Sequence, residues 1–116
     1  MNRTTIIKWF REACALDLED QEERSMFLKL QDKCRKSGIT VYRGVIENGK
    51  PNGLSWTTSK KVAQWFSNRF YTGTGKVYKM VIKNPSDILA YFNNRNEKEV
   101  IVDTSRQKNW EIIEEE

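Results

Sequence analysis

The chain predicts an α+β domain with a mostly antiparallel sheet system, because helical spacing fills its first third and strand-like patterns fill the rest. Three observations carry this. Residues 4–36 repeat apolar side chains at three- and four-residue steps, with Ile7, Phe10 and Cys14 on one stripe and Phe27, Leu30 and Cys34 on another. Residues 39–45 are dense in β-branched side chains, and residues 76–83 alternate between apolar and polar. No repeat, low-complexity tract or Pro/Gly/Ser-rich linker interrupts the 116 residues, so one domain is expected over 1–116. It divides into a helical part over 1–37 and a sheet core over 39–113.

Asp17 is placed to cap the second of two N-terminal helices, and Ser37-Gly38 supplies its stop. After the strand over 39–45, residues 48–53 form a turn-rich loop leading to a short extended piece over 54–57. Thr58 or Ser59 then caps a helix carrying Val62, Trp65, Phe66 and Phe70. A glycine-rich loop over 72–75 precedes the alternating strand. Residues 85–92 read as a turn and a short helical piece, 93–96 as a loop, and 99–103 and 110–113 as strands. Trp9, Phe10, Phe27, Trp65 and Phe66 sit at helical spacing and are expected in the core.

The chain has no histidine, which removes Ser-His-Asp, Cys-His and zincin chemistry together. Its two cysteines, Cys14 and Cys34, lack metal-ligand spacing and read as reduced thiols. No metal site is expected. No apolar run approaches membrane-spanning length and no signal-like leader opens the chain, so the expected compartment is the cytoplasm and no membrane partner is expected. The formal charge of +4 is spread along the sequence, which suits an anionic small molecule as well as a polynucleotide.

Three elements stand out chemically. Glu97-Lys98-Glu99 runs into Val100-Ile101-Val102, and strand alternation would aim both carboxylates at one place. Arg43 interrupts an otherwise apolar strand, where a buried guanidinium needs an acceptor, and Gly44 beside it leaves the backbone open to close approach. Ser55-Trp56-Thr57-Thr58-Ser59 crowds four hydroxyls around one indole ahead of a helix. An edge arginine, helix-capping hydroxyls and a solvated Glu-Lys-Glu are the structural alternatives.

In order and context, arginine on a first strand, Ser-x-Thr on a second followed by a helix with Ala63, and Glu-x-Glu at a later strand resemble the ADP-ribosyltransferase family. The resemblance is to its Arg-Ser-Glu class, which includes arginine-modifying bacterial toxins and phage transferases, and spans residues 39–102. It implies two small antiparallel sheets forming an NAD cleft, with the N-terminal helices packed outside, and a phage protein or bacterial effector acting in its own or a host cytoplasm. It further implies that Arg43 binds NAD phosphate and ribose, and that Gly44 meets the nicotinamide amide. Ser55 would support the catalytic Glu99, Thr57 would line the nicotinamide pocket, and Glu97 would face the acceptor. Trp56 replaces the small polar residue commoner at that point and would border the cofactor. Phe70 and Tyr71 match an aromatic wall only loosely.

The chemistry fits the inventory: losing nicotinamide develops positive charge on the sugar, which a fixed carboxylate stabilises without histidine or metal. In the family, Glu two residues before the catalytic Glu accompanies arginine acceptors, so a protein arginine is the favoured target. The alternatives are water or a nucleic-acid base as acceptor, and a catalytically silent binding or inhibitory module.

Overall fold

The computed structural model describes residues 3–12, 20–45, 53–67, 75–93, 96–106 and 113–115. Two helices come first, α1 (Arg3–Glu12) and α2 (Gln21–Ser37). Asp17 lies outside the described residues, and the cap of α2 is Asp20, whose carboxylate accepts the Glu23 N–H at 3.0 Å. That bond satisfies one of the donors a helix start leaves open. Glu22 and Glu23 in the first turn and Arg35 and Lys36 in the last complement the helix dipole. Gly38, at φ 79°, ends α2 as expected and donates its N–H to the Cys34 carbonyl at 3.0 Å.

The strands are β1 (Ile39–Val45), β2 (Ser55–Thr57), β3 (Lys76–Ile82), β4 (Ile88–Phe92), β5 (Glu99–Val102) and β6 (Ile113–Glu115). A third helix, α3 (Lys60–Ser67), follows β2 and is capped by Ser59, whose hydroxyl accepts the Val62 N–H at 3.3 Å. The strands form one antiparallel sheet in the order β4-β5-β2-β1-β3-β6. The expected two sheets are therefore one among the described residues, because β2 pairs on both sides. The junction is narrow, however. Every residue of β1 is registered with β3, whereas β1 and β2 share the single registered pair Tyr42↔Thr57.

One further expectation is corrected. The short helical piece within 85–92 is strand β4, preceded by a 3-10 turn at Pro85–Asp87 that Asn84 caps. Its run Ile88-Leu89-Ala90-Tyr91 is buried throughout, so neither helical nor strand periodicity shows in it. Of the strand expected over 110–113, only Ile113 lies among the described residues, where it opens the described span of β6, and Cys14, Phe70 and Tyr71 lie outside them.

Alternation gives the sheet two different faces. On one, Trp56, Val100 and Val102 join Val41, Met80 and Ile82 in a core closed by Phe27, Leu30 and Cys34 of α2. On the other, α1 packs Ile7 against Ala90 and Ile101, while α3 crosses β1. Gly44 and Gly75 permit that crossing. A Cβ at Gly44 would collide with the Ala63 carbonyl, and one at Gly75 with the Ser67 carbonyl. The buried stripe of α3 is accordingly Ala63 and Ser67, and its aromatics are displaced to the flanks. Trp65 is therefore not a core residue, being 58% exposed, and Trp9 on α1, at 59%, is not one either. Phe27 is in the core as expected, and the Phe10 side chain is outside the described set.

Arg11 ties α1 to the far end of β5. It forms an ion pair with buried Asp103 and donates to the Ser86 carbonyl at 3.1 Å. No helix among the described residues is long and apolar enough to cross a membrane.

Candidate active site

Where β1 meets β2, beside α3, the sheet carries a cleft of about 140 Å³ lined by Arg43, Gly44, Ser55, Thr57, Glu97 and Glu99. Tyr42, Trp56 and Phe66 complete its wall. Three strands that are distant in sequence build it, and the narrow β1–β2 junction lies at its floor.

Thr57 is registered with Glu99 and Ser55 with Ile101, so Ser55 and Glu99 are diagonal neighbours on one face. The Ser55 hydroxyl donates to Glu99 Oε2, fixing the carboxylate in the half-buried cleft. A charge-assisted bond of this kind is stronger than one between neutral groups and restricts the rotamers of both partners. Arg43 leaves β1 on the Val41 side and reaches β2, where Nη1 donates to the Ser55 carbonyl at 2.8 Å. Gly53 makes room for it, since a Cβ there would collide with the guanidinium. Burial pulls the Arg43 pKa below its ordinary value. Arginine and glutamate thus grip the same serine, one through its backbone and the other through its hydroxyl.

Glu97 reaches the cleft by a different route from the one strand alternation suggests. The strand β5 starts only at Glu99, and Lys98 has a left-handed backbone with φ 51°, as does Asn96 with φ 58°. The two acids still line one cleft, but a turn rather than a pleat brings them there. Thr57 supports that turn, donating its hydroxyl to the Glu97 carbonyl at 2.8 Å and accepting the Ser59 N–H at 3.1 Å.

Trp56 and Gly44 serve packing more than the cleft. The indole is 2% exposed, lies in the core facing α2, and donates to the Gly53 carbonyl at 2.8 Å. The space a side chain would take at Gly44 is filled by α3. Two wall residues were not singled out by sequence: Tyr42, adjacent to Arg43, and Phe66, edge-on to Trp65 with centroids 5.0 Å apart. Adjacency to the arginine is the only signal for Tyr42, and Phe66 reads as an ordinary core aromatic.

Cys34 is a free thiol donating to the Ile82 carbonyl at 3.1 Å. Burial, reinforced by the charge of Asp87, pushes its pKa up. No family model matches the chain, and no curated protein or solved structure matches it either.

Proposed function

We propose that this protein is an NAD-dependent mono-ADP-ribosyltransferase that transfers ADP-ribose to a protein arginine and releases nicotinamide. The observation that carries the reading is the convergence of Arg43, Ser55 and Glu99, with Ser55 bonded to both, in a cleft that also admits Glu97. A serine holding a carboxylate in place serves a reaction in which positive charge develops nearby, because a fixed charge needs no reorganisation as that charge forms.

The cleft fits one end of the donor. Its volume is below the roughly 300 Å³ at which a pocket begins to enclose a drug-sized ligand, so the nicotinamide end would enter while the rest lay over the open surface. Tyr42 and Phe66 offer aromatic surface to a flat ring. Glu99 would stabilise the sugar as the bond to nicotinamide breaks, the nicotinamide nitrogen leaving with the bonding electrons. An acceptor guanidinium nitrogen forms the new bond to the same ribose carbon, and Glu97 takes the proton it gives up. Arg43 would contribute positive charge toward the donor phosphates. The ADP-ribosyltransferase fold itself, with NAD held between two sheet segments, is part of this proposal.

The test is incubation with labelled NAD and a cell lysate, following label in protein and nucleic acid and the release of nicotinamide. Label in protein that disappears with Glu99→Gln is the expected result. Glu97→Gln should abolish transfer to arginine while sparing NAD cleavage, and equal loss of both would remove the separate acceptor role. Nicotinamide release without label would assign the cleft to hydrolysis, and label in nucleic acid would replace the protein acceptor. No label and no release would sink the enzymatic reading in favour of a binding module.

A further inference from the structure

The peptide joining Glu97 to Lys98 is held at both edges. Its carbonyl accepts the Thr57 hydroxyl at 2.8 Å, and its N–H donates to Asn93 Oδ1 at 3.1 Å. Each holder is itself anchored. Thr57 accepts the Ser59 N–H at the start of α3, and the Asn93 N–H is bound by the Glu23 carboxylate of α2. A further backbone bond runs from Thr58 N–H to the Lys98 carbonyl at 3.4 Å, and another from Asn96 N–H to the Asn93 carbonyl at 3.2 Å.

Glu97 sits between two residues with left-handed backbones, Asn96 and Lys98. Left-handed geometry at a non-glycine residue costs about 1–2 kcal/mol and persists where the surroundings over-determine it. Asn96 and Lys98 are exposed, where lower-energy backbone conformations are available, and lysine gains nothing intrinsic from this one. Bonds on both sides of the peptide are what hold it. Asn93 is exposed and outside the cleft wall, so its bond to Lys98 adds nothing to the core.

We infer that Asn93 and Thr57 are positioning residues for Glu97, and that by clamping the Glu97–Lys98 peptide they set how ADP-ribose is partitioned between a guanidinium acceptor and water. The inference rests on the proposed transferase reading. A guanidinium must be aligned before its nitrogen can attack, and misplacing an aligned reactant by about 1 Å can cost on the order of 100-fold. Water fills the same space without alignment. Loosening the clamp therefore penalises transfer far more than it penalises cleavage of NAD.

The experiment compares wild type, Asn93→Ala and Asn93→Asp with NAD and agmatine as the guanidinium probe, measuring nicotinamide release and ADP-ribosyl-agmatine together. Asn93→Ala should lower the fraction of ADP-ribose delivered to agmatine on the order of tenfold and raise the KM for agmatine, with the KM for NAD unchanged. Asn93→Asp, which restores the acceptor oxygen, should recover most of the partition. An unchanged partition in Asn93→Ala, or equal loss in both variants, would overturn the inference. Amide hydrogen exchange at Lys98 supplies a readout independent of catalysis: protection in wild type that is lost in Asn93→Ala is expected, and an unprotected wild-type amide would overturn the clamp. A protected amide in a protein that cleaves no NAD would overturn the transferase reading and the partition with it, leaving the clamp as a structural fact.

Discussion

The two faces of the sheet meet in three consecutive residues. Trp56 points into a core closed by α2, while Ser55 and Thr57 point the other way into a cleft walled in part by Phe66 of α3. On the first face Trp56 is packed among buried apolar side chains; in the cleft, Ser55, Thr57 and Glu99 are held by directional bonds. Stability and candidate chemistry are thus separated by the pleat of a single short strand, so neighbouring substitutions should have effects of different kinds.

The largest expected effect tests the dry face. Trp56→Ala should cost about 3–5 kcal/mol, measured by denaturant unfolding, because it empties a large buried volume and leaves the Gly53 carbonyl without its partner. A small loss would mean that the indole belongs to the cleft. Gly44→Ala comes next, at about 1–3 kcal/mol, since α3 must shift away from β1 to admit the methyl group. Unchanged stability there would show that the helix rides more loosely than the close approach implies.

Ser55→Ala should change stability by no more than about 1.5 kcal/mol, yet lower nicotinamide release on the order of tenfold by freeing the Glu99 carboxylate. A variant that unfolds without such a kinetic defect would erase the contrast between the faces.

A smaller effect depends on pH. Burial alone would raise the Asp103 pKa, but hydrogen bonds from Ser105 and Arg11, with the charge of Arg11, outweigh burial and hold it below the ordinary value. A carboxylate depressed in the folded state contributes stability in full above its unfolded pKa of about 4, and that contribution disappears as pH falls through the lower folded value. Asp103→Asn should flatten the acid end of the wild-type stability profile, read as midpoint against pH. A parallel profile would remove the pair as the tie on α1. The smallest effect is at Cys34. In a Cys14→Ser background its thiol should resist alkylation until the protein unfolds.

Much of this contrast was legible in the residues. The β-branched run of β1, the Gly38 stop and the Ser59 cap each have a local cause, and each formed where its chemistry predicts. The burial of Phe27, Leu30 and Cys34 followed from helical spacing. What failed was non-local. β4 is apolar on both faces, which erases the alternation that identifies a strand. Trp65 has helical spacing yet stays exposed, because glycines on β1 and before β3 draw the small side of α3 inward, and Trp9 on α1 is exposed as well. The grouping of Arg43, Ser55, Glu97 and Glu99 was legible, whereas the turn that delivers Glu97 was not. Lysine gives no sign of a left-handed backbone, and its bond to Asn93 crosses five residues.

The single registered pair between β1 and β2 has a mechanical consequence. Elsewhere the sheet is laced through several rungs, so thermal fluctuations that part its strands should concentrate at this one line, and amides on either side should exchange before their neighbours. Any molecule resting on both Arg43 and Glu99 spans that line and acts as a fastener. Its arrival should be felt first as a quieting of β1 against β2, and so as a rise in unfolding temperature with ligand concentration.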